Sequence, residues 1–365
     1  MAAGAAGPAV VLSLLLAGIV AILTALSFAS LSSKITKEGG EYQFVYVAFG
    51  PRVGFFGGLL WIASTAIAGV TVSMALAGYL TTLIPFAPLN VVAALACILF
   101  MTVDALGLKF SSRINNVLVL VKVGVILLFI ALTIPSFKIS NFNNFFSKGP
   151  DGILVAAFLI FFAYAGFGKI TAAGEEVKDA PKTIPKAIIL AISVAAVLYV
   201  LLGLLSVGAV GAETLSSPQY VNAPLALVIQ HIGYQWGFFV MALGALAATS
   251  SVLLIEMLGL SRTIYGMSAN KQLPEFFSKV HKRFKTPYRA DLFIGLLMAL
   301  AAYFLSTVTI VSITGLGILA YYAIINLAAL EMKKQRGGYE MPKIVHILGF
   351  VSCISLIIYF VTTLL

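Results

Sequence analysis

Long apolar runs alternate with short polar stretches along the whole chain, a pattern typical of helices that cross a membrane. A hydrocarbon core about 30 Å thick takes about 20 residues of helix to span. The stretches between the runs leave no room for a soluble domain. The sequence therefore predicts an all-α polytopic membrane protein with about ten transmembrane helices, at approximately 8–30, 53–83, 88–107, 114–135, 152–177, 186–211, 236–260, 290–305, 309–331 and 343–365.

The segment 152–177 differs from the others because its apolar half is too short to cross. The apolar run ends at Tyr164, and Gly166 and Gly168 then weaken the helix before a polar stretch. Backbone left unpaired inside a membrane is tolerated only where protein buries it or where it lines a cavity. We therefore expect a broken helix that holds a substrate near the midplane. A kink used only for helix packing is the alternative.

Composition supports the membrane interpretation. Of the 365 residues, 61% are hydrophobic and 10% are charged, whereas a soluble domain carries about 25% charged residues. Cys97 and Cys353 both lie inside apolar runs, so we expect them to pack as small side chains and not to form a disulfide. A formal net charge of +10 would suit a nucleic-acid partner, but the distribution of that charge argues against one.

Basic residues are concentrated in alternate loops, which predicts the orientation of the chain. The loops after odd-numbered segments carry 19 Lys and Arg residues, whereas the intervening loops carry only Lys138 and Lys148. Because basic loops stay in the cytoplasm, the first group of loops is predicted to be cytoplasmic. Both termini then lie outside, yet no signal peptide precedes the first segment. We therefore expect that a preceding helix is missing.

Several short motifs, in a consistent order, resemble the amino acid–polyamine–organocation superfamily of permeases. The most informative is similar to the broken sixth helix of that family, and the others resemble the turn between its first two helices, the start of its third helix and the exit from its eighth. These motifs are FFAYAGF at 161–167 with AGEE at 173–176, Pro181 and Pro185, then AGPAV at 6–10, GGEY at 39–42 with AFGP at 48–51, and SRTIYGM at 261–267 before Leu273 and Pro274.

This resemblance implies two five-helix repeats of inverted topology, with the first and sixth helices both broken at the substrate site. Residues 1–135 would hold helices two to five of the first repeat, and 136–333 would form the second repeat around the broken helix. Residues 334–365 would add a helix similar to the eleventh, and the first helix would be missing. Gly168 stands where many members of the family carry an acid, which argues against a cationic substrate.

The break itself suits a zwitterion such as an α-amino acid. The last carbonyls of its first half, near Phe162 and Ala163, lack helical partners and carry partial negative charge, which suits an ammonium. The first N–H groups of its second half suit a carboxylate. Packing is an equal alternative for two of the aromatic side chains, Tyr164 and Phe167. The predicted substrate-binding residues are Phe162, Ala163, Tyr164, Ala165, Gly166, Phe167 and Gly168.

Lys122 lies nine residues beyond the interfacial Arg113, which is roughly 13 Å into the hydrocarbon core. A buried ammonium is costly there, so we expect an interior partner and a role in proton coupling, with a static structural lysine as the alternative. The resemblance supports this role, since some family members carry a lysine on helix five where sodium-coupled relatives hold an ion. Ser250 and Ser251 are the expected partners, and no metal is expected. Their hydroxyls have an alternative role in bonding to their own helix.

Other polar residues are weaker candidates. Glu175 and Glu176 are predicted either to close a cytoplasmic gate or to be solvated. Glu256 is predicted to pair with a basic neighbour, with a proton-relay role as the alternative. The three histidines have no metal-ligand spacing, and no catalytic set, phosphate loop or CxxC motif occurs, so the sequence predicts neither an enzyme nor a cofactor. Four residues are candidates for the substrate side-chain pocket, although we favour packing as their role. They are Trp61, Tyr321, Tyr322 and Asn326.

We therefore predict a multi-pass permease of the plasma membrane that moves an amino acid together with a proton across the bilayer by alternating access. A polyamine or cationic-amine exchanger of the same fold is one alternative. A truncated remnant or partner subunit that does not transport is the other. The sequence does not identify the amino acid, the choice between symport and exchange, or the oligomeric state.

Overall fold

A computed structural model of the protein describes residues 1–37, 39–84, 86–220, 223–305, 307–332 and 338–364. Its regular structure in these ranges is helical throughout, which confirms the predicted fold class. The helices are α1 (Ala2–Ala6), α2 (Val10–Ser32), α3 (Glu41–Leu83), α4 (Leu89–Ala105), α5 (Leu108–Thr133), α6 (Gly149–Phe161), α7 (Ala180–Val210), α8 (Ala212–Ser216), α9 (Pro224–His231), α10 (Gln235–Ala269), α11 (Tyr288–Phe304), α12 (Thr307–Met332) and α13 (Lys343–Leu364).

Each of the ten predicted segments coincides with one of these helices. Within the described residues, eight stretches are long and apolar enough to cross a membrane. The helices α4 and α11, each of 17 residues, correspond to the two remaining segments. The eight longer stretches are Ala2–Ser32, Glu41–Leu83, Arg113–Ser136, Gly149–Ala172, Ala180–Val210, Gln235–Ala269, Ile313–Met332 and Lys343–Thr363.

Helix α3 begins earlier than the apolar pattern predicted. Residues 41–49 form a helical arm, which a kink at Gly50 (φ 83°, ψ 180°) separates from the spanning part that starts at Pro51. Only glycine adopts this backbone geometry at low cost, and proline suits the first position of the helix that follows. The spanning part agrees with the predicted segment 53–83, and the arm corresponds to the motif at 39–51 that resembles the start of a helix; its polar residues pack inside the protein.

The arm is held against the turn that follows α10. The Tyr42 hydroxyl donates a hydrogen bond to Gln272 Oε1 (2.7 Å), and Asn270 Nδ2 donates to the same hydroxyl (3.1 Å). Gln272 Nε2 donates to the Pro51 carbonyl across the kink. Tyr42 is fully buried. These bonds join the start of one long helix to the end of another.

The broken helix predicted at 152–177 is present. Helix α6 ends at Phe161 and continues as one 3₁₀ turn, Phe162–Tyr164, after which Ala165 is extended and Gly166 takes a φ of +106°. A second 3₁₀ helix, Lys169–Glu176, follows, and we call it the polar segment. Its tight winding differs from the α-helix expected for the second half. The two halves are therefore separate elements joined by residues 165–168.

Helices from the two halves of the chain pack in pairs around the break. Helix α2 packs against α7, α3 against α10, and α4 against α11, while α12 lies between α3 and α13. Large side chains fill the core where α2, α3, α6 and α12 meet. Helix α10 continues past its predicted end near 260 because Ser261 and Arg262 are buried inside the protein.

Candidate functional site

The backbone of the break presents amide groups to the interior. The Ala165 N–H donates to the Phe162 carbonyl (3.0 Å), so that carbonyl is not the free acceptor that the sequence predicted. The 3₁₀ turn explains this difference, because it pairs a carbonyl with the amide three residues later. The Gly166 N–H faces the Tyr322 hydroxyl. Among the described residues, no backbone carbonyl accepts a hydrogen bond from Phe167 or Gly168.

Two of the predicted aromatic residues are fixed by packing contacts. Tyr164 is buried, its hydroxyl donates to the Leu14 carbonyl (2.8 Å), and its ring meets Tyr199 edge-on at 5.0 Å. The Phe167 ring lies between Phe28 (5.3 Å) and Tyr322 (5.5 Å). These contacts correspond to the packing alternative for both residues, and a direct role with substrate stays a prediction.

Phe162 lines a cavity of about 520 Å³. Its walls come from α1, α2, α3 and α7, and they include Thr71 and Ser206 among mostly apolar side chains. Tyr220, which follows α8, and Pro224, the first residue of α9, also line the cavity. The cavity therefore reaches the 3₁₀ turn that follows α6. Ala163 is exposed, and Ala165 and Gly166 are half-buried.

Lys122 on α5 contacts a hydroxyl on α10, as the sequence predicted. Its Nζ donates to Ser251 Oγ (3.2 Å), and the Ser251 hydroxyl donates to Asn115 Oδ1 (2.6 Å). Lys122 is half-buried, whereas Ser251 is buried. Thr249 instead bonds to the Ala245 carbonyl of its own helix (2.8 Å). The neighbouring Ser250 is half-buried, and its part in any coupling is still a prediction.

A second lysine, which the sequence analysis did not single out as functional, lies directly after the break. Lys169 is 5% exposed, and its Nζ lies 2.9 Å from Glu256 Oε2 on α10 and 4.5 Å from the centre of the Trp61 ring. The expected pairing of Glu256 with a basic residue is thus present. Of the 23 Lys and Arg residues, Lys122 and Lys169 alone lie outside the loops counted for orientation. Listing the basic residues that lie outside the loops would therefore have identified Lys169 from the sequence.

Glu41, the first residue of α3, lies beside the same lysine. It is 1% exposed, and neither carboxylate oxygen has a hydrogen-bond partner in another described residue. A Cβ placed on Gly168 would lie 3.1 Å from Glu41 Oε1, so the carboxylate lies against the break itself. Lys169, Glu256, Tyr321 and Tyr322 are its charged or ionisable neighbours.

The remaining predicted residues lie elsewhere in the core or at the surface. Asn326 donates to Thr24 Oγ1 (3.0 Å) and accepts from Ser27 (2.7 Å), and Ser27 also meets His346 on α13. Glu175 is exposed, and the Glu176 side chain lies outside the described part of the protein. Within that part, no group of three His, Cys, Asp or Glu residues is arranged to hold a metal ion.

The comparison with known families agrees with this architecture. The sequence profile of the family described as Amino acid permease matches residues 1–365. The chain belongs to this family. The permease is thus an amino acid transporter and not an enzyme, embedded in a membrane by several helices.

Curated relatives of the permease include transporters from bacteria and plants. A methylthioribose transporter of Bacillus subtilis is 31% identical over 364 residues, which cover 94% of this chain and 78% of the relative. The branched-chain amino acid permease BcaP of the same species is 29% identical over 91% of this chain and 75% of its own. Cationic amino acid transporter 5 of Arabidopsis thaliana is 25% identical over 97% of this chain and 64% of its own.

Proposed function

We propose that this permease is a secondary active transporter that moves an amino acid with a proton across the cell membrane. The observation that carries the proposal is the break between α6 and the polar segment. Among the described residues no backbone carbonyl is bonded to the amides of Phe167 and Gly168, so these amides suit a substrate carboxylate, and a cavity reaches Phe162 at the start of the break. Substrate binding would involve the break residues 162–168.

The packing of the helices supports an inverted repeat, in which α2, α3, α4 and α5 correspond to α7, α10, α11 and α12. Under this correspondence the contact between α3 and α12 maps onto that between α10 and α5. The contacts α3–α4, α4–α10 and α2–α12 map onto α10–α11, α11–α3 and α7–α5, and all are present. This agreement supports repeats at 1–135 and 136–333, with 334–365 as an added helix that packs on α2 and α12. Rocking of one group of helices against the other would provide alternating access.

Lys122 is the proposed coupling residue. Its partner is a neutral hydroxyl and not a carboxylate, so proton loss from Lys122 would leave no unpaired acid behind. The contact joins α5 to α10, two helices that a rocking motion would separate or bring together. A lysine that exchanges its proton as this contact forms and breaks would link transport to the proton gradient.

The test is uptake of labelled amino acids into proteoliposomes with an inward proton gradient. Lys122→Ala should lose gradient-driven accumulation, while exchange of substrate across the bilayer continues. Lys138→Ala, which removes an exposed lysine from a loop, is the matched control and should behave like the wild type. Gradient-driven accumulation in Lys122→Ala equal to the wild type would disprove coupling through this residue.

A cationic amino acid is the second candidate substrate, and one observation favours it. Gly168 lacks the acid of many family members, but the Glu41 carboxylate occupies the space beside it. Several relatives are also described as cationic amino acid transporters. Competition for labelled amino acid uptake by leucine, arginine and putrescine distinguishes the candidate substrates. Inhibition of uptake by leucine alone indicates a neutral substrate. Inhibition by arginine that is abolished in Glu41→Gln indicates a cationic substrate. Inhibition by putrescine indicates an amine exchanger.

A further inference from the structure

Three ionisable side chains from three different elements are buried close enough to interact electrostatically. Glu41 comes from the arm of α3, Lys169 from the polar segment and Glu256 from α10, and all three are less than 9% exposed. Lys169 and Glu256 form an ion pair at 2.9 Å, while Glu41 is an electrostatic neighbour of both. We call these three residues the acidic cluster. The Trp61 ring covers the lysine, and nothing charged on α5 contributes to the group.

With all three residues ionised, the acidic cluster has two negative charges and one positive charge. An uncompensated charge at such a buried place is costly, and a carboxylate without hydrogen-bond donors is the costliest arrangement. No other described residue donates a hydrogen bond to the Glu41 carboxylate. The Tyr321 hydroxyl, fully buried and a neighbour of Glu41, also has no hydrogen-bond partner there. One additional proton would make the acidic cluster neutral.

We propose that Glu41, Lys169 and Glu256 form a binding site for one exchangeable proton, separate from the Lys122 contact. The ligand is one proton, taken up by the two carboxylates in the neighbourhood of Lys169. Bulk water supplies and receives the proton, so no other reactant is needed. The site adds to the proposed function without requiring that Lys122 couple transport.

The same proton would control the contact between the polar segment and the helices that hold it. A Cβ on Gly40 would lie 3.0 Å from Ala172 Cα, and one on Gly259 would lie 3.1 Å from Lys169 Cδ. The polar segment therefore packs tightly on the start of α3 and on α10. With the proton bound, the acidic cluster is neutral and this contact is stable. Without it, the buried net charge favours separation and entry of water.

The groups that face Glu41 come from every element packed against it. They are Lys169 on the polar segment, Glu256 on α10, and the hydroxyls of Tyr321 and Tyr322 on α12. Among these described neighbours of Glu41, Lys169 is the one basic residue. The neutral tyrosines do not compensate a charge, so the charge balance depends on the two carboxylates and the lysine.

The direct test is infrared difference spectroscopy of the purified protein in lipid as the pH is stepped. A protonated carboxyl has a carbonyl stretch that an ionised one lacks. The wild type should show this band and lose it as the pH rises. Either Glu41→Gln or Glu256→Gln should abolish it, because each leaves one carboxylate with one ammonium. Lys169→Met should increase the band at a given pH, up to twofold.

Asp104→Asn is the control for the other buried carboxyl groups, and it should keep the band of the acidic cluster. Glu41→Asp should restore the band that Glu41→Gln removes, which separates loss of the proton from misfolding. A band that survives in both glutamine variants, or disappears in only one, would overturn the shared site. A response to sodium in place of pH would also overturn it.

Hydrogen exchange of the polar segment tests the structural consequence. After correction for the intrinsic effect of pH, amides in Lys169–Glu176 of the wild type should exchange faster at high pH. In Glu41→Gln this difference should be absent. The Lys122→Ala variant should keep it, so the result does not depend on the outcome of the transport experiment. An equal pH response in wild type and Glu41→Gln would refute control by the proton.

Discussion

Lys122 and Lys169 both lie inside the transmembrane region, but their surroundings differ. Lys122 is half-buried and contacts the neutral hydroxyl of Ser251 at 3.2 Å. Lys169 is buried between the Glu256 carboxylate and the Trp61 ring, with Glu41 nearby. A lysine with a neutral partner can lose its proton without exposing an unpaired acid. Lys169 instead lies 2.9 Å from an acid, and in our proposal the exchangeable proton belongs to the carboxylates.

The comparison indicates that the two lysines have different tasks. Lys122 is suited to change its own charge as α5 and α10 move. Lys169 is suited to hold the Glu256 carboxylate beside the break through their ion pair. Since removal of one partner from a buried ion pair is more costly than loss of a neutral hydrogen bond, the difference can be measured as stability. The predictions below run from the largest expected effect to the smallest.

Lys169→Met should be the most destabilising of these substitutions. It leaves two buried carboxylates without their cation, so the free energy of unfolding should fall by about 3–5 kcal/mol. Thermal unfolding of the purified protein in lipid would measure it. Lys182→Met is the matched control, because Lys182 lies at the surface 3.8 Å from Asp179, and exposed pairs contribute about 0–1 kcal/mol. Equal effects of the two substitutions would contradict the assignment of Lys169.

The next largest effect should be a difference between the coupling energies of the two lysines with their partners, measured by double-mutant cycles. The coupling of Lys169 with Glu256 should reach about 2–3 kcal/mol, the upper part of the range for residues in contact. The coupling of Lys122 with Ser251 should be about 1 kcal/mol, the usual net contribution of a hydrogen bond. Unfolding of the single and double variants, with methionine for lysine, glutamine for Glu256 and alanine for Ser251, gives both values. A larger value for the Lys122 pair would reverse the comparison.

Gly166→Ala should have a smaller effect that is confined to the break between the two lysines. A Cβ on Gly166 meets no atom within 4 Å, so the cost comes from the φ of +106° alone. The expected loss of stability is about 1–2 kcal/mol. Gly168→Ala is the contrasting variant, because its Cβ would approach the Phe28 ring to 2.6 Å although its backbone is ordinary. A change of unfolding temperature only in Gly168→Ala would show that the conformation of Gly166 is unstrained.

Glu175→Gln should have the smallest effect. Its side chain is exposed, and substitutions at such positions usually change stability by less than about 0.5 kcal/mol. It therefore gives the baseline for the buried carboxylates of the acidic cluster. If this variant slows transport while its stability is unchanged, the predicted gate at Glu175 is supported. Unchanged transport would contradict a gate at this residue.

The sequence was sufficient for the helices and for the break because both follow from local patterns. Apolar length predicts the spans, and Gly166 and Gly168 mark the end of α6. The partner of Lys122 was also predicted, since the family resemblance related α5 to α10. Ser251 makes that contact, whereas Ser250 stays a prediction.

The sequence was not sufficient for contacts between distant polar residues. Glu41 lies in the GGEY motif, which resembles the start of a helix but predicts no partner for its side chain, and the kink at Gly50 directs the arm into the protein. Lys169 follows the break at the start of a polar stretch, where a lysine is not unusual. Their meeting with Glu256 depends on how three elements pack, and no local pattern in the sequence encodes it.

The arm of α3 connects the turn that follows α10 to the interior of the protein. Asn270 and Gln272 lie in the turn after α10, and both bond to Tyr42, the residue next to Glu41. Pro51 receives a further bond from Gln272 on the other side of the kink. Displacement of that turn would therefore be expected to move Tyr42 and, with it, the Glu41 carboxylate that lies against Gly168. A molecule bound at the turn could in this way alter the charge distribution beside the broken helix.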